Sequence, residues 1–264
     1  MPDHSPAQKQ YLLRIRHEKY LIHVSRILLF LGFLFLWEIS ARKDWIDSFI
    51  FSSPSEIWQT FLTMTQDQSL FTHIGITLTE TLLSFAITVC LGISTAVLLW
   101  ACPNLSRILE PYLVVLNSLP KSALAPLLIV WLGANIRTII VSGISVAIFG
   151  SVINLYTGFR EIDSEKQKLI RTLGGTKKDE LTKIVLPSSV PLILSVMKVN
   201  IGLCLVGVII GEFLSAKAGL GYLITYASQT FEMTKLMSAL IMLCLLSCVL
   251  YQAVGMLEKQ FLKQ

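Results

Sequence analysis

Charge is scarce in this sequence. Only 15% of its 264 residues are Asp, Glu, Lys or Arg, whereas 53% are hydrophobic, and the mean hydropathy is +0.66. Soluble domains carry about 25% charged residues, so this chain is shifted in the direction that lipid demands. The chain also lacks G-x-x-x-x-G-K-[ST], and with it the loop that cradles nucleotide phosphates, so it is not expected to hydrolyse ATP itself. There is no H-E-x-x-H and no G-x-S-x-G, and the four histidines (4, 17, 23 and 73) are scattered, so no catalytic residue and no metal site is expected. The five cysteines (90, 102, 204, 244 and 248) are odd in number and lie in or beside apolar segments, as buried free thiols do.

Long uncharged runs are what the chain does have. Residues 138–159 and 236–257 are each 22 residues long without a charged side chain, and residues 81–106 add 26 more. At about 1.5 Å per residue, such runs cross a hydrocarbon layer roughly 30 Å thick. Helices satisfy their own backbone groups there, so an all-α, polytopic membrane protein is expected. Six spans are read at residues 24–41, 76–100, 109–132, 137–159, 188–212 and 235–257, after an N-terminal segment 1–23. Span 1 carries Arg26 and Glu38 and is the weakest; Arg26 can snorkel. No small-residue cleavage site follows it, so it reads as a retained anchor. With the N-terminus inside and snorkelling Arg26 counted on that side, 15 Lys and Arg are inner and 5 fall on outer segments, which orients both termini to the cytoplasm. Basic charge is thus a topology signal, and no nucleic-acid partner is implied.

The most polar stretch between two spans is "RTLGGTKKDELTKIVLP", residues 171–187. Ile162, Leu169 and Leu173 share one helical stripe, with Ile170 beside them. Gly174-Gly175 supplies a turn, and Thr176 with Asp179 starts a second short helix with a stripe of Leu181, Ile184 and Val185. Pro187 is expected to force Leu186 out of helical space and end the element. Such a hairpin either lies on the membrane or docks in a groove of a soluble partner.

Gly174, Ile184, Leu186 and Pro187 are spaced as in the cytoplasmic loop of bacterial ABC-importer permeases, E-A-A-x3-G-x9-I-x-L-P; Lys168, Leu169 and Ile170 stand at the Glu-Ala-Ala positions. "LPKSALAPLLIVWLG" (residues 119–133) resembles a span-3 segment of the nitrate, sulfonate, taurine and pyrimidine importer permeases. "GEFLSAKAGLGYLI" (residues 211–224) resembles their E-x7-G-L-G-x-L-I segment, and with "SPSEIW" the likeness runs from about residue 50 to the C-terminus.

The resemblance implies a type I ABC-importer permease domain over residues 24–264 in the bacterial cytoplasmic membrane. It implies a permease dimer, two ATPase subunits that bind the ATP, an extracytoplasmic solute-binding protein, and no cofactor of the chain's own. By the same likeness the loop of about residues 160–187 is the ATPase-coupling element, with Lys168, Leu169, Ile170, Arg171, Thr172, Leu173, Gly174, Gly175, Ile184, Leu186 and Pro187 as its residues. Glu212, Gly219 and Gly221 become outer-gate candidates; a carboxylate in interfacial water and a plain loop are the blander readings. The cargo is a small anionic or heterocyclic nutrient. A secondary carrier or channel is the alternative from another class, but no inverted repeat is visible. The coupling subunit of a vitamin importer is another, although its Ala-Arg-Gly-type motifs are missing.

Polar groups inside spans complete the candidates. Lys121, Asn117 and Pro120 lie in proline-broken span 3, Asn154 in span 4 and Lys198 in span 5. A lysine in a span costs roughly 2.5–3.5 kcal/mol, so it faces protein or water. Lys121 and Asn117 either line an anion-tolerant path or, for Lys121, bond a freed carbonyl and fix the break. Asn154 and Lys198 fit packing better. Glu80, near the outer end of span 2, is expected to be solvated.

Overall fold

The structure is a computed structural model and describes residues 6–262; residues 1–5 of the N-terminal segment, with His4, and also Lys263 lie outside the described residues. Within them the chain is helical without a strand. In chain order the helices are α1 (Pro6–Arg42), α2 (Ser48–Phe51), α3 (Pro54–Gln66), α4 (Ser69–Ala101), α5 (Pro103–Ser118) and α6 (Lys121–Leu132). They continue with α7 (Ile136–Arg160), α8 (Ser164–Thr172), α9 (Lys177–Glu180), α10 (Leu186–Ser215), α11 (Leu220–Gln229) and α12 (Met233–Leu262).

Local chemistry sets many of the boundaries. Ser53 accepts a hydrogen bond from the Glu56 N–H ahead of Pro54, and Asn135 accepts from the N–H groups of Arg137 and Thr138 to open α7. Among the described residues, five helical segments are long and apolar enough to cross a membrane: 20–42, 69–101, 136–160, 177–215 and 233–260. The sixth expected span is α5 with α6, bent by 97°. Pro120 offers no N–H and holds Leu119 extended (φ −62°, ψ 138°), so the expected break is present.

The centre of the bundle is α7, wedged between α4 and α10. Small residues permit that. A Cβ on Gly207 of α10 would stand 2.7 Å from the Ser142 carbonyl oxygen and 2.8 Å from the Gly143 Cα on α7. Ser142 Oγ donates to the Gly207 carbonyl at 2.8 Å. Lipid gives helices no hydrophobic reason to associate, so close backbone contact and buried hydroxyl bonds hold this seam. Two apolar clusters flank it. One joins Leu205, Leu220 and Met242, the other Leu99, Leu155, Phe159 and Val185.

Two expectations are corrected. Leu186 does not leave helical space: it is right-handed (φ −62°, ψ −48°), and a π-helical turn, Leu181–Val185, carries the helix unbroken into α10. The π turn shifts the bonding by one residue, and the Leu186 N–H reaches the Leu181 carbonyl, so the chain enters Pro187 without unwinding. Glu80 is not solvated but 3% exposed. Helix α4 begins at Ser69, so Glu80 sits three turns inside it, under α10 and α11.

Candidate functional site: hairpin, broken span and Glu212 latch

The hairpin is built by capping. Asp163 accepts from the Glu165 N–H at 2.8 Å to start α8. At its end Gly174 takes φ +81°, and the Gly174 and Gly175 N–H groups bond the carbonyls of Arg171 (3.0 Å) and Ile170 (2.8 Å). These are the paired bonds of a Schellman turn, which favours glycine at the left-handed position. Thr176 and Asp179 then exchange backbone and side-chain bonds, the capping box read from the sequence. Arg171 makes two bonds to the buried carboxylate of Glu180, one of them 3.0 Å from Nη2, and these hold its guanidinium above its ordinary pKa. Lys177 Nζ reaches the Ala101 carbonyl at 3.2 Å and ties α9 to the end of α4.

This architecture sorts the coupling-loop candidates. Leu169 and Leu173 are 60% and 75% exposed and form a free apolar ridge, with Lys168, Thr172 and Gly174 also exposed around it. Ile170 leaves the expected ridge: its side chain lies over Gly175, where an added Cβ would come within 2.4 Å, because the Schellman turn folds back onto it. Arg171 serves the clamp on Glu180. Ile184 and Leu186 are half-buried, and Pro187 is exposed on the helix surface.

Around the break, Lys121 Nζ donates to the carbonyls of Leu116 (2.8 Å) and Asn117, and it lies 5.8 Å from the Phe149 ring centre. These are carbonyls left free where α5 ends, so Lys121 fixes the break at Pro120. Asn117 faces α7, its Oδ1 3.4 Å from where a Cβ on Gly150 would stand. Gly150 and Asn154 line a cavity of about 430 Å³ between α7 and α10, together with Ser195 and Asn200. Asn200 was not singled out from the sequence; it is buried and donates to Ser151 Oγ at 2.9 Å. Its signal was an amide in the middle of an apolar span. Lys198 is not with this group. It pairs with Glu258 at 3.0 Å and lies 4.8 Å from the Tyr251 ring centre.

At the opposite end of the bundle Glu212 is 1% exposed, which excludes a carboxylate in interfacial water. It accepts from Thr77 Oγ1 at 2.7 Å and from the Gly221 N–H at 2.5 Å. Thr77 in turn accepts from the Leu220 N–H at 2.8 Å, and His73 Nδ1 accepts from the Gly219 N–H at 3.0 Å. Glu80, 3% exposed, lies beside this carboxylate, and its Oε2 has no hydrogen-bond partner. Gly219 has φ +122°, and a Cβ there would lie 2.5 Å from the Glu212 carboxylate. The turn into α11 is therefore latched to α4 and α10 by buried polar bonds, with Glu80, expected from the sequence to be solvated, buried beside them. Among the described residues no group of three His, Cys, Asp or Glu could hold a metal.

Residues 88–263 match the family model described as a binding-protein-dependent transport system inner membrane component. A formylaminopyrimidine transport permease from Halalkalibacterium halodurans is 29% identical over 232 residues, covering 88% of this chain and 92% of that one. A nitrate import permease from Synechococcus elongatus is 31% identical over 153 residues, 58% of this chain and 54% of that one. In fold, the chain is similar to one from a bacterial ABC transporter that imports the acidic polysaccharide alginate. The TM-score is 0.66 at 15% identity, over 95% of this chain and 99% of that one.

Proposed function

This chain belongs to the family of binding-protein-dependent transport system inner membrane components, and on that premise we propose how its parts serve transport. It is the permease subunit of an ABC importer, a membrane component that works with a solute-binding protein and an ATPase. In our reading, hydrolysis occurs in two copies of the ATPase subunit, a second copy of this chain completes the pore, and this chain binds no cofactor. The hairpin end and both termini face the cytoplasm, and the Glu212 end faces the solute-binding protein.

The observation that carries this reading is the exposed Leu169–Leu173 ridge on a hairpin locked at both ends. An apolar ridge ringed by charge suits a cleft in a soluble partner. A rigid hairpin transmits displacement, whereas a floppy one would absorb it. Helix α9 runs unbroken through the π turn into α10, so movement of the hairpin is delivered to the wall of the path. Nucleotide drives the cycle only through unequal affinity for the inward and outward states. Asn117, Asn154 and Asn200 sit along the proposed path, and Glu212 with Gly219 and Gly221 acts as its outer latch. The named substrates of the relatives, formylaminopyrimidine and nitrate, support a small heterocyclic or anionic nutrient as the cargo.

Leu173→Glu places a charge on the ridge without touching the clamp. Transport is expected to fall at least roughly tenfold, the change that a loss of 1.4 kcal/mol produces, while the chain still inserts and the ATPase no longer co-purifies. Wild-type uptake together with normal ATPase co-purification rules the assignment out.

A further inference from the structure

A second cavity, of about 270 Å³, opens where the α4–α5 turn, the end of α7 and the start of the hairpin meet. It is separate from the α7–α10 cavity and from the Glu212 latch. Trp100 supplies part of an apolar wall, and Arg107, Tyr156, Arg160 and Gln167 supply polar groups. The Arg160 guanidinium lies 5.6 Å from the Tyr156 ring centre, and its Nη1 donates to the Tyr156 hydroxyl at 3.3 Å. That hydroxyl is left with its own hydrogen to donate. Among the described residues neither Arg107 nor Arg160 has a carboxylate partner, in contrast to Arg171 on Glu180. Lys177 brings a third cation to the same turn through Ala101.

Like charges gathered around a concavity repel, and an anion seated among them relieves the repulsion. Guanidinium pairs match phosphate oxygens in geometry as well as in charge. The cavity also lies at a telling level: α4 ends at Ala101, the uncharged run stops before Arg107, and α7 ends at Arg160. This is where apolar helix length gives way to the headgroup zone, and a half-buried Trp100 fits that boundary. We propose that the cavity is a phosphate-binding site, filled by the phosphodiester of an anionic phospholipid or by inorganic phosphate. The bound phosphate ties α5, α7 and α8 together and so steadies the hairpin against the bundle. The site needs no transport partner and stands whether or not the hairpin docks on an ATPase.

The test uses the full-length chain in nanodiscs of phosphatidylcholine alone or with phosphatidylglycerol. Phosphatidylglycerol is expected to raise the thermal midpoint by about 3 °C, near the change that 1 kcal/mol makes in a chain of this size. The shift should vanish in R107Q/R160Q and survive in R137Q/K217Q, which removes charge elsewhere. A shift from inorganic phosphate in phosphatidylcholine discs, lost in the same double variant, supports the site with a soluble ligand instead. If the double variant does not fold, R107Q alone should lose at least half of the shift. Absence of a shift with either anion, or equal shifts in wild type and the Arg107/Arg160 variants, overturns the proposal.

Discussion

Glycine at position 219 illustrates how much one residue decides. Its φ of +122° is closed to ordinary side chains, and the Glu212 carboxylate occupies the space a Cβ would need. Gly219→Ala is therefore expected to cost about 1–3 kcal/mol and several degrees of thermal midpoint. Gly32→Ala, inside α1 where nothing lies within 4 Å, should not lower the midpoint. A thermal-shift comparison of the two checks this; equal effects would mean that the latch does not bear on stability. Thr77→Val probes the same latch from the other side. It removes the hydroxyl that donates to Glu212 and accepts from Leu220 N–H, leaving two buried groups unpaired, so it should destabilise by about 1–3 kcal/mol. The family resemblance of their segment pointed to Glu212 and both glycines, whereas Glu80 was left at a solvated end. Glu212, beside which Glu80 is buried, lies on another helix, and no local pattern records a proximity across 132 positions of chain.

Among the elements, the hairpin was the most legible part of the chain. The Gly174 turn and the Thr176 capping box are local events, set by backbone freedom and side-chain reach within a few residues. The break at Pro120 was legible for the same reason. Continuity through Pro187 was not, because a π turn is a compromise between a missing donor and the packing of Val185, and only the packed bundle shows which prevails. Ile170 was misplaced because the stripe was drawn on a straight helix, whereas the Schellman turn folds it onto Gly175. The clamp gives the element a testable rigidity. Arg171→Leu strands the Glu180 carboxylate, which is 1% exposed, without its partner. Faster amide hydrogen exchange in α8 and protease nicking near Gly174 are expected in that variant, with partial protection restored by Arg171→Lys. Unchanged exchange would show that the capping bonds hold the hairpin alone.

For the whole molecule, composition pointed away from a water-soluble fold, and the uncharged runs fixed the class. The arrangement of α7 between α4 and α10 was not available from composition, since the small residues along that seam look like any other apolar-span residues until the partner helix is known. Helix α1 was read as the weakest span, and it stands apart from the core. Leu28, Leu29 and Phe30 are exposed, and it is fastened near its end, where Trp37 donates to the Ser52 carbonyl and Glu38 accepts from Ser55. What unites the two ends of the bundle is one continuous helix from α9 to α10: the hairpin starts it and Glu212 lies near its far end. In the proposed reading the chain is a lever driven by a motor on a separate subunit. Reconstitution in proteoliposomes tests that directly, by measuring solute uptake for the chain alone and for the chain with its ATPase and solute-binding protein. Uptake is expected only with both partners and ATP, and to collapse when Leu173→Glu replaces the wild type. Full-rate uptake by the chain alone, without nucleotide, would contradict it.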